Sequence, residues 1–327
     1  MEFRTYQDLN NTILRNISKI PQNVDLIVGI PRSGLMVASI IALYRNLPLT
    51  SLDDFLDGNL FTPGITKPKN GWIKNVHEAR KILIVEDSVN SGASIQKAKN
   101  LIKEKSDCAD KCIYLAAYVK KSTIKLVDLY FEVLELPRIF QWNFLQHVYL
   151  SQCCFDIDGV LCDDPSPDQN DDGPNYRDFL LHAPLKLYPQ RQVKYLVSSR
   201  LEKYRPETEN WLKENHISYG ELILMNLPSA EERRRLGNHA EFKAEQYRKH
   251  SDAVLFIESD DIQAQKIFQL TNKPVFCINS QQYYCDKKRE RKIALRFQQK
   301  EKYKAFLKRF LLVRIAIKIR NKLRKID

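Results

Sequence analysis

The sequence predicts an α/β protein of two tandem doubly wound parallel-sheet domains followed by a basic C-terminal helix. Apolar, strand-like runs alternate with helix-patterned stretches over the first 285 residues, which is the order of βαβ units on a parallel sheet. A length of 327 residues fits about two domains. The charge is local: 17 Lys or Arg and 4 acids lie between Asp286 and Asp327, so the rest of this +12 chain is near −1.

The first domain is predicted over residues 1–150. Its strands are VDLIVGI (24–30), KILIVED (81–87), CIYLAAYV and YFEVLE, and its helices are GLMVASIIALYRN and the stretch from Ser91 to Lys105. The stretch FTPGITKPKNG (61–71) is rich in Pro, Gly and Lys and predicts a loop.

The second domain is predicted over residues 151–285. Its strands are VYLSQCCFDIDG from about residue 148, VKYLVSSR (193–200), ELILMN (221–226), AVLFIESDD (253–261) and PVFCIN. Helical patterns separate them, so a second parallel sheet is expected, and the third region is the tail at 286–327.

The composition is that of an ordinary globular protein. Hydrophobic residues make up 43% and charged residues 28%, which excludes a disordered chain. The sequence has no apolar run of 18 residues, and its first residues, MEFRTYQDLNNTILRN, contain no signal-peptide apolar region, so a cytoplasmic protein is expected. Its seven cysteines include no CxxC pair and are expected to be reduced and mostly buried.

The segment ILIVEDSVNSGAS (82–94) carries the first candidate site. A strand, a tight turn at Gly92 and a helix would direct unpaired backbone amides toward an anion, and Ser88, Asn90, Ser91 and Ser94 add side-chain donors. Carboxylates repel an anion, so the partners of Glu86 and Asp87 must be hydroxyl groups or a divalent cation. The expected ligand therefore carries both a phosphate and a diol.

This segment resembles the phosphoribosyl pyrophosphate signature of type I phosphoribosyltransferases. It departs in having Glu86 where Asp is commoner and Ser91 in place of Thr. The resemblance implies that Glu86 and Asp87 hold the ribose hydroxyls. It also implies that the turn cradles the 5-phosphate, through Ser88, Asn90, Ser91, Gly92, Ala93 and Ser94.

Two upstream segments support this resemblance. GIPRSG (29–34) follows the first strand, where the family places its pyrophosphate loop, and would contribute Arg32, Ser33 and Gly34. Lys67 and Lys69 fall where the family carries a flexible catalytic lid.

The segment FDIDGVL (155–161) carries the second candidate site, with Asp156 at a strand end and Asp158 two residues later. A carboxylate nucleophile attacks phosphorus only when cations screen the repulsion between the anions. Matching groups occur downstream, at the ends of two predicted strands and in a helical stretch. They are Ser198, Lys243, Glu258 and Asp260.

These four motifs, in this order, resemble the haloacid dehalogenase superfamily. The resemblance implies that Asp156 forms an aspartyl phosphate, that Asp158 is the general acid and base, and that Ser198 and Lys243 hold the phosphoryl group. Mg2+ would be bound by Asp156, Asp158 and either Glu258 or Asp260, the choice being open. The motif spacing leaves room for a minimal cap only, so the site would accept bulky substrates or be covered by the other domain.

The tail carries an apolar stripe between basic residues. The stripe consists of Leu312, Ile315, Ala316, Ile319, Leu323 and Ile326. This pattern favours an interfacial helix on an anionic membrane surface. A docking or coiled-coil helix and nonspecific nucleic-acid contact are alternatives, and nucleic acid is not the expected partner.

The combination of the two domains resembles the dual-domain ribofuranosyltransferases of bacterial polysaccharide synthesis. That resemblance implies phosphoribosyl transfer from phosphoribosyl pyrophosphate to a glycan acceptor, such as lipid-linked O-antigen or capsule, and then removal of the 5-phosphate. The protein would be peripheral on the cytosolic face of the inner membrane. One alternative is an orotate-like nucleobase phosphoribosyltransferase fused to a nucleotidase. Another is a non-catalytic regulator that senses phosphoribosyl pyrophosphate and binds nucleic acid.

Overall fold

The structure is a computed structural model that describes residues 2–62 and 72–286. The lid lysines Lys67 and Lys69 and the apolar stripe of the tail lie outside the described residues. The chain divides into two compact units. The first unit contains Arg4–Arg138, and the second contains Phe3 and the described chain from Ile139 onward.

The first unit alternates strands and helices, as predicted. Its strands are β1 (Glu2–Arg4), β2 (Leu26–Gly29), β3 (Leu49–Ser51), β4 (Ile82–Val89), β5 (Cys112–Val119) and β6 (Leu129–Val133). Its α-helices are α1 (Tyr6–Asn16), α2 (Ser33–Arg45), α3 (Leu52–Leu56) and α4 (Ala93–Lys105). The strands β2 and β4 are apolar and buried along most of their length, because helices cover both faces of a parallel sheet.

The first sheet has the strand order β3-β2-β4-β5-β6, with parallel pairing throughout. The chain runs outward from β2 to β3 and then, in the opposite direction, from β4 to β5. The order therefore reverses between β2 and β4. Ligands of open α/β sheets bind outside the carboxyl ends of the strands at such a reversal, and both motifs of the first candidate site follow these two strands.

The second unit repeats this architecture. Its strands are β7 (Arg138–Phe140), β8 (Cys153–Phe155), β9 (Val193–Leu201), β10 (Tyr219–Met225), β11 (Leu255–Glu258), β12 (Val275–Cys277) and β13 (Tyr283–Tyr284). Its α-helices are α5 (Pro174–His182), α6 (Arg205–Glu214), α7 (Ala230–Leu236), α8 (His239–Lys249) and α9 (Asp261–Thr271).

The second sheet has the order β10-β9-β8-β11-β12-β13, parallel except for β13, which is antiparallel to β12. Alternate strand residues enter different cores: Phe155 packs with residues of α5 and α6, whereas Cys154 packs with residues of α8 and α9. Helices therefore cover both faces. The strand order reverses between β8 and β11, where Asp156 and Glu258 are found.

The predicted α/β class with parallel sheets is confirmed. The first compact unit ends at Arg138, earlier than the predicted boundary at Leu150. The reason is that Phe144 and Leu150 pack in the same hydrophobic core as Phe155. Five of the seven cysteines are buried thiols, as expected. Within residues 2–62 and 72–286, no helix is both long and apolar enough to cross a membrane.

Candidate functional site

The loop after β2 packs directly against β4. The Ile30 amide donates to the Val85 carbonyl at 2.9 Å. A Cβ at Gly34 would lie 2.5 Å from that carbonyl oxygen and 3.3 Å from Glu86 Oε1, so only glycine fits without displacing β4. Ser33 opens α2 directly after the exposed Arg32. The loop therefore places the first turn of α2, at Gly34, beside Glu86 of β4.

The two adjacent acids of β4 are both buried, at 6% exposure each. Ser94 Oγ donates to Glu86 Oε2 at 2.5 Å, and the Asp87 amide donates to Glu86 Oε1 at 3.2 Å. Burial raises the pKa of Glu86 to about 8; the Ser94 hydroxyl opposes this rise, and the charge of Asp87 adds to it. Near neutral pH, Glu86 therefore holds its proton more tightly than an ordinary glutamate does.

Asp87 also acts on a buried arginine of the same unit. Burial lowers the pKa of Arg138 to about 10, while the charges of Asp87 and Glu135 oppose this change. Arg138 Nη1 donates to the Leu134 carbonyl at 2.7 Å. The guanidinium therefore lies within electrostatic reach of Asp87, a relationship that the sequence did not indicate.

The turn after β4 opens the N-terminus of α4. Gly92 has a φ of +87°, and a Cβ there would lie 2.3 Å from Leu126 Cδ1, so glycine is required on both counts. Gly92 has no side chain to cap the helix, although Ser91 Oγ accepts from the Ala93 amide at 3.3 Å. Asn90, Ser91, Ala93 and Ser94 are exposed, and Ser88 is half-buried. An exposed 13-residue helix N-terminus ringed by hydroxyl groups is suited to a phosphate.

The second site is built around a buried lysine on α8. Lys243 Nζ donates to Asp156 Oδ2 at 2.6 Å, to Glu258 Oε2 at 2.7 Å and to Gln263 Oε1 at 2.9 Å. The structure thus brings together three residues that are distant in the sequence. Asp156 and Glu258 follow or end neighbouring strands at the reversal of the sheet, which explains their proximity.

Burial dominates the electrostatics of this cluster. It raises the pKa of Asp156 to about 7, against the effect of Lys243, and the charges of Glu258 and Asp158 contribute to the rise. Burial alone would lower the pKa of Lys243, but the carboxylates of Asp156 and Glu258 raise it overall. The ammonium therefore remains charged, and its bond to Asp156 favours the carboxylate required of a nucleophile.

Arg200 is a second buried cation; its guanidinium contacts Asp158 and its backbone amide contacts Ser198. Ser198, which is 1% exposed, accepts from the Arg200 amide at 3.3 Å. Asp158 Oδ1 accepts from Arg200 Nη2 at 2.6 Å, and the Arg200 side chain is fully buried. Arg200 was missed by sequence reasoning, although it stands only two residues after Ser198 in the same strand, β9.

The two candidate acids after β11 have different surroundings. Glu258 is fully buried beside Lys243, and its Oε1 accepts from the Ser259 amide at 2.9 Å. Asp260 is exposed and caps α9, accepting from the Gln263 amide at 2.7 Å. Only Glu258 of this pair therefore contacts the Lys243 cluster in the described structure.

The sequence also gave no role to Asp164, which lies beside the loop of Asp158. A Cβ at Gly159 would be 2.8 Å from Asp164 Oδ2, and burial together with the charge of Asp158 raises the pKa of Asp164. The sequence feature that could have indicated Asp164 is the run of acids after the DxD motif. Such a run does not by itself distinguish a functional site from a solvated loop.

The acids predicted to bind magnesium do not form one ligand cluster. Lys243 stands between Asp156 and Glu258, Asp158 is paired with Arg200, and Asp260 caps a helix. No group of three or more His, Cys, Asp or Glu arranged to hold a metal occurs in the part of the chain that is described. Mg2+ generally takes only one or two protein carboxylates together with water and phosphate oxygens, and Asp156 with its neighbours can supply that number.

Residues 4–149 match the family model described as the phosphoribosyl transferase domain. This part of the chain is therefore similar to a phosphoribosyl transferase domain, and a domain of that kind implies phosphoribosyl pyrophosphate as the substrate. The match covers the β2 and β4 motifs described above. Among the curated proteins, none matches the chain.

Three solved structures illustrate the likeness. A xanthine-guanine-hypoxanthine phosphoribosyltransferase from Helicobacter pylori is 17% identical, with a TM-score of 0.33, over 44% of this chain and 93% of that one. A purine phosphoribosyltransferase from Pyrococcus horikoshii is 16% identical, with a TM-score of 0.31, over 43% and 94%. An orotate phosphoribosyltransferase from Aeropyrum pernix is 16% identical, with a TM-score of 0.27, over 39% and 70%. Likenesses this weak carry no argument about the acceptor of this chain.

Proposed function

We propose that the chain is a bifunctional enzyme that transfers phosphoribose to a glycan acceptor and then removes the 5-phosphate from the product. The observation that carries the proposal is the Lys243 cluster: a buried ammonium 2.6 Å from a strand-end carboxylate, in the same chain as a phosphoribosyl transferase domain. A phosphoribosyl product retains a 5-phosphate, which is a substrate for that cluster. The two activities in sequence would deliver a plain ribofuranosyl group.

In the first step, phosphoribosyl pyrophosphate is the donor. Glu86 and Asp87 accept hydrogen bonds from the ribose hydroxyls, and the N-terminus of α4 with residues 88–94 holds the 5-phosphate. Arg32, Ser33 and Gly34 contact the departing pyrophosphate, and Lys67 and Lys69 are proposed to cover the site. The bond from the anomeric carbon to pyrophosphate breaks through an oxocarbenium-like state. An acceptor hydroxyl then bonds to the opposite face and loses its proton.

In the second step, the domain acts as a haloacid dehalogenase-like phosphatase. Asp156 attacks phosphorus, so that an aspartyl phosphate forms while the bond from phosphorus to the ribose 5-oxygen breaks. Asp158 gives a proton to the departing oxygen and later takes one from the attacking water, which releases inorganic phosphate. Ser198 and Lys243 hold the phosphoryl oxygens during both transfers.

Magnesium is the cofactor proposed for both steps. Asp156 would hold the ion in the phosphatase site, with water and phosphate oxygens completing its shell and Glu258 as the predicted fourth-motif ligand; the ion would screen the repulsion between the carboxylate and the phosphate. Asp260 remains the alternative fourth-motif ligand. In the first site, the ion would accompany the pyrophosphate.

The proposed acceptor is a lipid-linked glycan, such as O-antigen or capsule, at the cytosolic face of the inner membrane. The support for this proposal is the basic, apolar-striped sequence of the tail, which lies outside the described residues. Each basic residue near an anionic surface contributes about 1 kcal/mol of binding. The tail would therefore keep the protein close to such an acceptor.

The test uses the full chain with Mg2+, phosphoribosyl pyrophosphate and a lipid-linked oligosaccharide, and follows product masses. The wild type should give a riboside without phosphate, and Asp156→Asn should stall at a product one phosphate heavier. Asp87→Asn should stop the first step, with both products absent. A dephosphorylated riboside from Asp156→Asn would refute the two-step scheme.

Adenine, guanine and orotate, each offered as the acceptor, form the second arm. Nucleotide formation from any of them, with no glycan product, would favour the alternative of a nucleobase phosphoribosyltransferase fused to a nucleotidase. Binding of DNA or RNA without pyrophosphate release would favour the regulator.

A further inference from the structure

Asp158, the proposed acid and base of the phosphatase step, is held by the guanidinium of Arg200. Arg200 Nη2 donates to Asp158 Oδ1 at 2.6 Å, and Nε lies 3.1 Å from Oδ1 and 3.2 Å from Oδ2. A guanidinium presents its donors in a rigid plane, so these bonds fix the orientation of the carboxylate as well as its position.

The contacts of the two carboxylate oxygens are unequal. Besides Arg200, Oδ1 has Cys162 Sγ at 3.5 Å, a weak thiol donor. Oδ2 has only the long contact to Nε among the bonds found in the described structure. A carboxylate oxygen accepts about two hydrogen bonds, so Oδ1 is saturated and Oδ2 retains capacity.

The backbone of Asp158 is fixed as well. Ser259 Oγ donates to the Asp158 carbonyl at 3.4 Å, and Lys186 Nζ donates to the Gly159 carbonyl at 2.8 Å. Gly159 has a φ of +72°, and a Cβ there would lie 2.2 Å from Ser259 Oγ. The backbone that carries the Asp158 side chain is therefore held in place, and the orientation of its carboxylate is set by Arg200.

Arg200 itself cannot meet a substrate. Its side chain has no exposed surface, and its remaining donors reach Thr208 Oγ1 at 3.4 Å and Cys162 Sγ at 3.3 Å. Any effect of Arg200 on the chemistry must therefore pass through Asp158.

We propose that Arg200 is a positioning residue of the phosphatase site, which occupies Asp158 Oδ1 and leaves Oδ2 to exchange protons with the leaving oxygen and the attacking water. The inference rests on the proposed phosphatase function and adds to it the residue that selects the working oxygen. Mutation of a residue that orients an active-site group in this way typically lowers activity about 10- to 100-fold.

The experiment compares Arg200→Met, Asp158→Asn and the double variant in the full chain with Mg2+. The measured quantity is the first-turnover rate of leaving-group release from ribose 5-phosphate and from p-nitrophenyl phosphate. Release of a sugar alkoxide needs a proton, whereas nitrophenolate leaves without one. We expect Arg200→Met to slow leaving-group release from ribose 5-phosphate about 10- to 100-fold. Release from p-nitrophenyl phosphate should slow much less, and the KM of both substrates should stay nearly unchanged.

The double variant tests whether Arg200 acts through Asp158. Once Asp158→Asn has removed the working carboxylate, Arg200→Met should cost nothing further. Thr208→Val is the matched control, because it removes a hydrogen bond of the Arg200 guanidinium but no contact of Asp158. It should preserve the ratio of the leaving-group release rates of the two substrates. If Arg200→Met does not fold, Arg200→Lys keeps the charge, loses the paired donors and should show the same preference in weaker form.

Equal slowing of both substrates, or a further loss in the Asp158→Asn background, would overturn the inference in favour of a purely structural arginine. An Asp156→Asn enzyme that still hydrolyses ribose 5-phosphate would instead overturn the proposed phosphatase function. The two failures are therefore distinguishable.

Discussion

Lys243 Nζ lies 2.6 Å from Asp156 Oδ2, although 87 residues separate them in the chain. The same ammonium contacts Glu258, so one buried cation is shared by two buried carboxyl groups. A buried pair of this kind is not a strong source of net stability, but removal of one partner leaves the others uncompensated.

Lys243→Met should therefore destabilise the second unit by about 3–5 kcal/mol and abolish the proposed phosphatase activity. The cost should be smaller at pH 5 than at pH 8, because burial raises the pKa of Asp156 to about 7, so that its carboxyl group is protonated in acid. Hydrogen exchange of β8 and β11 peptides, measured at both pH values, reports the stability of this unit.

Lys266→Met is the control for that substitution, because Lys266 forms an exposed pair with Glu241 at the surface. We expect it to change stability by less than about 1 kcal/mol. Equal effects of the two substitutions would contradict the assigned importance of the buried cluster.

Glu86 should make the first unit less stable as the pH rises. Its folded pKa of about 8 exceeds the ordinary value of 4.5, so between these values the folded state retains a proton that the unfolded state has lost. The free energy of unfolding then falls as the pH increases through this window. Glu86→Gln should remove much of that fall, as measured by hydrogen exchange of β4 and β5 peptides at pH 5 and pH 8.5.

Glu104→Gln provides the comparison, because Glu104 is exposed on α4. Its exchange should follow the wild type at both pH values. A Glu86→Gln profile as steep as that of the wild type would show that Glu86 is not the titrating group.

Binding of phosphoribosyl pyrophosphate should strengthen as the pH rises toward and past about 8, since ribose hydroxyls donate to an ionised Glu86. Ser94→Ala removes the donor that lowers the pKa of Glu86, so it should move the midpoint of this dependence to higher pH. Calorimetric titrations between pH 6.5 and pH 9.5 would measure it. Affinity that is flat across this range would argue against a ribose contact through Glu86.

Gly34→Ala should weaken binding of phosphoribosyl pyrophosphate at least tenfold, because the new Cβ would lie 2.5 Å from the Val85 carbonyl and displace Glu86. Gly58→Ala is the matched control. It imposes backbone strain at a φ of +80°, but its Cβ would meet nothing closer than 3.8 Å, so stability should fall by about 1 kcal/mol and affinity should not change. Unaltered affinity in Gly34→Ala would show that the loop tolerates the displacement.

Much of this molecule could be predicted from local sequence. The apolar runs of β4 and β11 indicated buried strands, because a parallel strand is covered on both faces. Acids and small residues placed directly after those runs indicated sites, because the carboxyl ends of parallel strands face the ligand. The sequence alone thus determined the α/β class, the alternation of elements and the candidates Glu86, Asp87, Asp156 and Lys243.

Other features depended on the tertiary structure. Which of Glu258 and Asp260 joins Lys243 is decided by the end of β11: Glu258 remains in the strand and faces inward, whereas Asp260 caps α9. Arg200 and Asp158 meet only because β8 and β9 are neighbours, and the raised pKa of Glu86 arises from its burial in the folded unit. Burial and long-range pairing are set by the packing of distant segments, so no local pattern of residues could have specified them.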